Sequence, residues 1–331
     1  MKAVVLVGGF GTRLRPLTLA TPKQMLPVAN RPMIERVLEH LAAHGIEEAV
    51  LALGYRPDAF AATYPDNRCA GVALHYAVEP QPMDTAGAIR FAATDAGIDE
   101  RFLVVNGDVL TDLDVTALVA FHDARRAEGT ISLHRVEDPS AYGVVPTDAS
   151  GRVEAFIEKP PRSEAPTDLI NAGTYVLEPS VLDRIEPDVP VNVERVTFPA
   201  MVADGSLFAM DGSSYWIDAG TPATYLAANL DLITGARGAP CPAVDPSAIV
   251  DGQVEAAVIG ARAVVAADAR VERSVLLAGA RVEAGASVRD SVVGPGSCVG
   301  AGAEVDGGSV LGDGVLVAAG STVHGQRIPG E

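Results

Sequence analysis

The sequence predicts an α/β fold with a Rossmann-like, mostly parallel sheet, followed by a β-helix. Two observations lead to this prediction. From residue 1 to about residue 230, strand-like apolar runs alternate with segments of helical periodicity, which is typical of a parallel sheet covered by helices. Beyond residue 247 an aliphatic residue recurs every six positions, commonly followed by glycine or another small residue, and this period indicates a β-helix.

The first predicted strand leads directly into a glycine-rich loop. The run AVVLV (3–7) is rich in β-branched residues and is followed at once by paired glycines, so we expect a buried strand. The loop reads GGFGTRLRPLT over residues 8–18, here called the signature loop, and TPKQMLPV follows at 21–28. Ligands bind at the carboxyl ends of strands in open α/β sheets, which makes this loop the first candidate binding element.

Further strands and helices alternate along the chain. Apolar residues recur at helical spacing over residues 32–45, up to a glycine. Short strands separated by turns between residues 130 and 157 predict a subdomain laid over the sheet. The remaining predicted elements are strands at 49–53, 72–78 and 102–108 and a helix at about 86–95.

A stretch rich in glycine and proline, residues 235–247, predicts a linker between an α/β domain (1–234) and a β-helix (248–331). In a β-helix each aliphatic residue of the repeat points inward, and small residues form the corners. A flexible tail would lack this fixed aliphatic spacing. The residues predicted to point inward are Ile259, Val265, Val271, Leu277, Val282, Val288, Val293, Val299, Val305, Leu311, Val317 and Val323.

Composition narrows the classes of partner. The 331 residues carry a formal net charge of −18, which argues against nucleic acid or an anionic membrane surface, since both require a cationic patch. Three widely spaced cysteines indicate neither a disulfide framework nor a metal cluster. The sequence has no apolar run of 18 residues, and Met1 and Lys2 lead directly into the first strand without a signal-peptide pattern, so we expect a cytoplasmic protein.

The chemistry of the signature loop suits a polyanion. Gly8, Gly9 and Gly11 permit positive φ angles and let backbone N–H groups approach phosphate, while Arg13 and Lys23 supply positive charge. The loop matches neither GxxxxGK[ST] nor GxGxxG. We therefore predict a nucleoside triphosphate site of another kind.

A carboxylate ends one of the predicted buried strands. Asp108 follows FLVVNG, at the edge of the sheet where parallel strands present ligand-binding groups. Mg²⁺ prefers one or two carboxylates together with water and substrate phosphates. Asp108 is therefore a candidate magnesium ligand.

The chain resembles the sugar-1-phosphate nucleotidyltransferases, and within them it looks most like mannose-1-phosphate guanylyltransferases. The signature loop and PKQMLPV carry the resemblance first. It continues through PMIERVLEHL, DTAGA, NGD, FIEKP, NAGTY and WIDAGTP, in the family's order and over residues 1 to about 230. The tail resembles the left-handed β-helix of hexapeptide-repeat proteins.

The resemblance implies a reaction in which a sugar 1-phosphate attacks the α-phosphate of a nucleoside triphosphate and pyrophosphate leaves. It makes Asp218 the second magnesium ligand beside Asp108. The implied catalytic residues are Arg13, Lys23, Asp108, Lys159 and Asp218. The implied nucleotide-binding residues are Leu6, Gly8, Gly9, Gly11, Thr12, Arg13, Glu79, Thr85, Ala86, Gly87, Asn106 and Gly107, and the implied sugar-phosphate residues are Gly143, Glu158, Lys159 and Asn171.

Base recognition is predicted to involve Glu79, which ends a strand just before DTAGA. A carboxylate can accept hydrogen bonds from the adjacent N1–H and N2 amine of guanine, which favours GTP. At Asp84 the chain departs from the family's common glycine, and this carboxylate either lies near the base or changes the turn. Gln24 stands where guanylyltransferases often carry proline and thymidylyltransferases often carry glutamine. A thymidylyl-, uridylyl- or adenylyltransferase acting on glucose 1-phosphate or on a related, even carbocyclic, sugar phosphate is therefore the alternative.

Two other classes compete with this interpretation. A non-catalytic nucleotide-sugar-binding regulatory subunit would have no physical reason to retain both phosphate-binding cations and both carboxylates. An acyltransferase site in the β-helix would need a histidine base on a coil, and the repeats contain no histidine before His324. We instead expect the β-helix to form a homodimer or a larger homo-oligomer, because its open end needs a cap or a partner.

Overall fold

A computed structural model describes residues 1–54 and 57–330. The chain forms two units, the first made of residues 1–9 and 35–216 and the second of residues 10–34 and 217–331. The signature loop passes from the first unit to the second after Gly9. The domain bounds inferred from the sequence, 1–234 and 248–331, stay predictions.

Strands and helices alternate up to residue 234. The strands are β1 (Ala3–Leu6), β2 (Pro27–Val28), β3 (Arg31–Pro32), β4 (Glu48–Leu53), β5 (Arg68–Cys69), β6 (Val72–Val78), β7 (Phe102–Asn106), β8 (Val109–Thr111), β9 (Gly129–Arg135), β10 (Gly143–Val144), β11 (Ile157–Glu158), β12 (Leu169–Leu177), β13 (Leu207–Asp211) and β14 (Trp216–Asp218). The helices are α1 (Met33–Ala43), α2 (Pro57–Thr63), α3 (Asp84–Asp95), α4 (Val115–Arg125), α5 (Phe198–Ala203) and α6 (Pro222–Thr234), and Val193–Thr197 form a π-helix.

Four parallel strands form the centre of the sheet in the first unit. Their order is β6-β4-β1-β7, with Val5 of β1 paired with Leu51 of β4 and Val105 of β7. Val4 and Val5 are fully buried, as expected for a parallel strand covered on both faces. The predicted mostly parallel sheet is confirmed.

Antiparallel strands extend this sheet beyond β7. Strand β12 runs antiparallel to β7, and it also pairs with β9 and β10. The prediction of a subdomain laid over the sheet is therefore wrong for β9, β10 and β11, which belong to the same ten-stranded sheet. The physical reason is the length of β12, whose nine residues reach past β7 and offer pairing edges to these strands.

Helix α3 begins two residues before the predicted start and buries one face. Ile89, Ala92 and Ala93 are fully buried in the apolar core of the first unit. Helix α4 was not predicted, and it is capped at its N-terminus by Asp114, whose carboxylate accepts a hydrogen bond from the N–H of Ala117. None of the described helices is long and apolar enough to span a membrane.

The second unit contains a β-helix built from three parallel sheets of five strands each, in agreement with the predicted left-handed β-helix. Every third strand stacks in the same sheet, so each coil contributes one strand to each side. The strands are β15 (Ile249–Val250), β16 (Gln253–Glu255), β17 (Val258–Ile259), β18 (Val264–Val265), β19 (Arg270–Glu272), β20 (Val275–Leu276), β21 (Arg281–Val282), β22 (Ser287–Arg289), β23 (Val292–Val293), β24 (Cys298–Val299), β25 (Glu304–Asp306), β26 (Val310–Leu311), β27 (Leu316–Val317), β28 (Thr322–His324) and β29 (Arg327–Ile328).

The spacing of the coils corrects one predicted core residue. Val265 stacks on Val282 and Val282 on Val299, so one side of each of these coils is five residues long rather than six. The shortened side ends at Leu276, which lies in the β-helix core, whereas Leu277 does not belong to this core. The prediction of Leu277 is thus wrong by one position.

Helix α6 anchors the segment that follows the signature loop. The buried side chain of Asn229 accepts a hydrogen bond from the N–H of Ala29 at 2.8 Å. Tyr225, also buried, donates to the carbonyl of Pro27. The helix itself is capped by Thr221 and Thr224, which exchange side-chain and backbone hydrogen bonds. This packing fixes the loop end that follows Lys23.

Candidate active site

The ends of β1 and β7 bring two predicted binding segments to one edge of the sheet. Leu6 pairs with Asn106, and the N–H of Gly107 donates to the carbonyl of Leu6 at 2.9 Å. Gly8 and Asp108 follow directly on these strands. The structure thus places the first glycines of the signature loop on a strand adjacent to the one that leads to Asp108.

Glu79 lies beside the first glycine of the signature loop. A side chain on Gly8 would place its Cβ 3.6 Å from Oε1 of Glu79, and one on Gly54 would place it 3.8 Å away. Oε2 of Glu79 accepts a hydrogen bond from the N–H of Met83 at 2.9 Å. Burial raises the pKa of Glu79 above its usual range, although the Met83 hydrogen bond opposes this shift. The carboxylate of Glu79 is thus half-buried and lies in van der Waals range of the positions where side chains on these two glycines would begin.

The DTAGA turn is tied to the segment 191–193. The backbone N–H groups of Ala86 and Gly87 donate to the carbonyl of Val191, at 2.8 and 3.2 Å. Thr85 accepts a hydrogen bond from the N–H of Val193 at 2.9 Å. Gly87 packs so closely that an added Cβ would lie 2.9 Å from the carbonyl oxygen of Val189. These contacts fix the turn against the segment 189–193.

Asn171 and Glu194 form the centre of a polar cluster. Nδ2 of Asn171 donates to Oε1 of Glu194 at 2.7 Å and to the hydroxyl of Tyr175 at 2.9 Å. Asn171 lies at a bulge of β12, which turns its side chain out of the regular strand pairing. Burial raises the pKa of Glu194, and the nearby carboxylate of Glu158 raises it further. A protonated Glu194 can donate a hydrogen bond as well as accept one.

Sequence reasoning missed Glu194 because VNVERV contains no motif. Its position depends on the π-helix at residues 193–197, a form that is frequent at functional sites. The side chain of Asn192 caps this π-helix, since its Oδ1 accepts from the N–H groups of Glu194 and Arg195, each at 3.0 Å. No spacing of residues in the sequence predicts this arrangement.

The same cluster contains the other three predicted sugar-phosphate residues, Gly143, Glu158 and Lys159. Oε2 of Glu158 is buried and has no hydrogen-bond partner among the described residues, while Oε1 accepts from Nζ of Lys159 at 2.8 Å. A Cβ on Gly143 would lie 3.5 Å from this Oε2 and 2.6 Å from the ring of Phe156. Glycine therefore keeps the space beside the carboxylate open. Lys159 has a φ of 47°, which is a strained conformation for a residue with a side chain.

The second unit holds the remaining predicted residues around Arg13. Nη2 of Arg13 lies 3.6 Å from Oδ2 of Asp218. A Cβ on Gly220 would come within 2.7 Å of the Arg13 guanidinium, so glycine is required for this approach. On the other side of the loop, Thr18 donates to the carbonyl of Gly11 at 2.7 Å. Arg13 itself is 62% exposed, which leaves its charge available to a ligand.

Gly11 also makes room for the second predicted cation. Its φ is 59°, and an added Cβ would lie 3.3 Å from Cβ of Lys23. Thr12, the next residue, begins a short 3₁₀ turn that ends at Leu14. In this turn the side chain of Leu14 is fully buried, whereas the side chain of Arg13 is exposed to solvent.

The described residues contain no group of three or more His, Cys, Asp or Glu side chains placed to hold a metal ion. The two predicted ligands, Asp108 and Asp218, are both carboxylates. Hard oxygen donors in small number, completed by substrate phosphates, are what Mg²⁺ takes in phosphoryl-transfer sites. As a ligand type, each of these carboxylates suits magnesium and does not suit a metal that requires sulfur or imidazole.

Comparison with known families gives two matches that together cover nearly the whole chain. Residues 2–235 match the nucleotidyl transferase family, and residues 239–329 match the GMPPB C-terminal domain. The second match coincides with the β-helix.

Curated relatives match the first of these regions. The chain is 46% identical over 244 residues to mannose-1-phosphate guanylyltransferase of Mycobacterium tuberculosis, covering 73% of this chain and 67% of that protein. It is 45% identical over 233 residues to mannose-1-phosphate guanyltransferase of Hypocrea jecorina, covering 68% of this chain and 62% of that protein. The chain thus spans about two thirds or less of the length of these relatives.

Solved structures share the fold. A protein assigned as a glucose-1-phosphate thymidylyltransferase from Bacillus anthracis superposes with a TM-score of 0.63 at 25% identity, covering 69% of this chain and 94% of that chain. HddC from Yersinia pseudotuberculosis gives a TM-score of 0.60 at 28% identity, covering 69% of this chain and 97% of that chain.

Proposed function

Because the chain belongs to the nucleotidyl transferase family, we propose that it is a sugar-1-phosphate guanylyltransferase that converts GTP and mannose 1-phosphate into GDP-mannose and pyrophosphate. The relatives at 45–46% identity carry the name of this activity. Two thymidylyltransferase-like features, Gln24 and the resemblance to the Bacillus anthracis structure, make dTTP with glucose 1-phosphate the second candidate.

The carboxylate of Glu79 is the observation that carries the choice of GTP. It lies next to Gly8 and Gly54, where a base can approach, and the N–H of Met83 holds it in place. Guanine presents two adjacent donors that one carboxylate can accept. Adenine, thymine and uracil do not offer that pair. Glu79 therefore favours guanine among the four bases.

In the proposed reaction, a phosphate oxygen of mannose 1-phosphate attacks the α-phosphorus of GTP. One P–O bond forms, the P–O bond to the β-phosphate breaks, and the electron pair leaves with pyrophosphate. Both reactants are anions, so the protein must neutralise charge and align the groups rather than move a proton. Arg13 and Lys23 are expected to hold the pyrophosphate charge and Lys159 the sugar phosphate.

The polar cluster is proposed to bind the sugar hydroxyls. Asn171, Glu158 and Glu194 offer donors and acceptors within this cluster, and the missing side chain of Gly143 leaves space beside Oε2 of Glu158. A pocket that hydrogen-bonds a single hydroxyl can discriminate sugar epimers by orders of magnitude, because the wrong epimer leaves buried polar groups unpaired. This polar cluster is thus the candidate determinant of mannose over glucose.

Nucleotidyltransferases of this family typically use a divalent metal ion. We propose Mg²⁺ for this chain, with Asp108 and Asp218 as its protein ligands. When bound, the ion supplies positive charge to the phosphates of both substrates. Activity should accordingly be lost in EDTA and return with added MgCl₂.

Pyrophosphate release tests the proposal. GTP, dTTP, UTP and ATP are each combined with mannose 1-phosphate and with glucose 1-phosphate in the presence of Mg²⁺. We expect the highest kcat/KM for GTP with mannose 1-phosphate, and a reduced preference for GTP in Glu79→Gln. A preference for another pair would overturn the specificity and leave the reaction class standing. No release with any pair would favour the non-catalytic regulatory subunit.

We further propose that the chain forms a homodimer or a larger homo-oligomer through its β-helix. The β-helix carries large apolar side chains on its surface, including Ile249, which is 55% exposed, and Leu316, which is 80% exposed. Burying them removes apolar surface from water. Light scattering at micromolar concentration should give a mass of at least two chains, and a monomer mass would contradict the proposal.

A further inference from the structure

The last coil of the β-helix contacts the signature loop at the backbone of Arg13. Nη1 of Arg327, in β29, donates a hydrogen bond to the carbonyl oxygen of Arg13 at 3.2 Å. The two residues are 314 positions apart in the sequence. The guanidinium of Arg13 meanwhile lies 3.6 Å from Asp218. The side chain of Arg13 thus lies within ion-pair distance of Asp218, and its backbone carbonyl accepts a hydrogen bond from the β-helix.

A second contact supports the same part of the loop. Gly312 follows β26, and its N–H donates to the carbonyl of Ile328 in the neighbouring coil. A Cβ on Gly312 would lie 3.0 Å from Cβ and 3.2 Å from Cγ of Pro16. Pro16 is buried against this glycine. Because Pro16 lies three residues after Arg13, this packing limits how far the loop can shift toward the β-helix.

The other end of the loop segment is held by the first coil. Nδ2 of Asn30 donates to the carbonyl oxygens of Ala243 and Ile259, at 3.3 and 3.2 Å. The segment 10–34 is therefore attached to the β-helix on both sides of Lys23. The same segment contains both cations that the proposed function assigns to the phosphates.

We propose that Arg327 is a positioning residue for Arg13, so that the β-helix forms part of the catalytic apparatus rather than an assembly module alone. This inference rests on the proposed function, in which Arg13 stabilises the leaving pyrophosphate. Electrostatic stabilisation of a transition state requires fixed charges, and displacement of a catalytic group by about 1 Å can cost about a hundredfold in rate. A donor on the Arg13 carbonyl fixes the backbone that carries the charge.

Hydrogen exchange of the full-length protein tests the attachment without reference to activity. Arg327→Met removes the donor and keeps a long side chain, and it should raise amide exchange in peptides covering residues 12–18. Peptides covering 102–108 serve as the internal reference and should not change. Unchanged exchange in 12–18 would overturn the attachment.

Steady-state kinetics test its consequence. We expect Arg327→Met to lower kcat about tenfold, which is the size expected for the loss of one hydrogen bond from a charged donor, with the KM for mannose 1-phosphate unchanged. Arg327→Lys, which retains a charged donor, should restore most of kcat. Arg270→Met removes an exposed arginine elsewhere on the β-helix and is the matched control for the lost charge. If Arg327→Met lowers kcat no more than Arg270→Met does, the proposal is contradicted.

Two further variants separate this inference from the proposed function. If Arg13→Ala leaves kcat unchanged, the role of Arg13 in the proposed function fails. If Arg13→Ala lowers kcat and Arg327→Met does not, only the positioning role fails. In the double variant, Arg327→Met should add little to the loss caused by Arg13→Ala, because both act through one group.

Gly312→Ala provides an independent test of how the β-helix supports the loop, through the contact between Gly312 and Pro16. The added methyl carbon would lie 3.0 Å from Cβ of Pro16 and 3.3 Å from the carbonyl oxygen of Ile328, so we expect the loop and the neighbouring coil to shift and kcat to fall. Gly330→Ala is the matched control, since the nearest atom to its added Cβ is 4.0 Å away. Equal effects of the two substitutions on kcat would count against the proposal.

Discussion

Asn192 donates a side-chain hydrogen bond to the carboxylate of Asp84, at 3.1 Å to Oδ1 and 3.3 Å to Oδ2. The same carboxylate accepts from the N–H of Thr85 at 2.7 Å. Asp84 therefore connects the turn at the start of α3 with the segment that carries Glu194. Its φ of 55° is the left-handed conformation that glycine adopts without strain, so the aspartate replaces glycine at a cost that these hydrogen bonds offset.

Asp84→Gly should leave the preference for GTP unchanged, because the carboxylate is engaged within the protein rather than at the base. The loss of the hydrogen bonds and the relief of strain should nearly cancel, so the free energy of unfolding should change by about 1 kcal/mol or less. Competition of GTP with ATP and dTTP measures the preference, and thermal unfolding measures stability. A base preference altered as strongly as in Glu79→Gln would show that Asp84 reads the base.

Arg13→Ala should lower kcat about a hundredfold or more, as expected when a charge that stabilises the transition state is removed. The guanidinium is largely exposed and its ion pair with Asp218 is long, so the variant should fold normally. Arg270→Ala, on the β-helix surface, is the control. An unchanged kcat with only a raised KM would contradict the assigned role.

Glu194→Gln should weaken the pH dependence of stability. Burial and the proximity of Glu158 place the folded-state pKa of Glu194 above its ordinary value of 4.5. The stabilisation linked to this proton is complete below the ordinary pKa and is lost as pH rises through the higher folded-state pKa. Glutamine keeps the hydrogen bond from Asn171 and has no proton to lose. The melting temperature of the variant should therefore fall less than that of the wild type as pH rises above 4.5. Equal falls in melting temperature for the two proteins would refute this.

Glu128→Gln should destabilise the first unit at neutral pH. The carboxylate accepts from Nε and Nη2 of Arg184, at 2.9 and 2.7 Å, and from the hydroxyl of Ser206 at 2.7 Å. Burial alone would raise the pKa of Glu128, but these hydrogen bonds outweigh it and hold the pKa below its usual range.

The lost charge-assisted hydrogen bonds should cost about 1.5–3 kcal/mol in urea unfolding at pH 7. Because the folded-state pKa is depressed, the difference between wild type and variant should shrink as pH falls below about 4.5. Glu304→Gln, an exposed substitution on the β-helix, is the control. A pH-independent difference would contradict the ionic origin of the effect.

The sequence predicted the central sheet and the β-helix well because both have strong local signals. Buried parallel strands such as β1 and β6 appear as continuous or alternating apolar runs, and each coil of the β-helix repeats one aliphatic position per side. The one-residue error at Leu277 arose because the short side of a coil is determined by stacking on the neighbouring coils rather than by the local sequence. The placement of β9 to β11 was wrong for a similar reason, because the partners of a strand are determined by tertiary packing rather than by the local sequence.

The sequence by itself determined the family, the glycine positions that the loops require and the charged residues of the signature loop. Each of these follows from residue type and short-range spacing. The tertiary structure alone decided that Glu194 joins Asn171, that Asp84 is engaged by Asn192 and that Arg327 reaches the Arg13 carbonyl. These contacts join segments 23, 108 and 314 positions apart, and the hydrogen bonds that form there depend on the packing of whole elements, which no local pattern encodes.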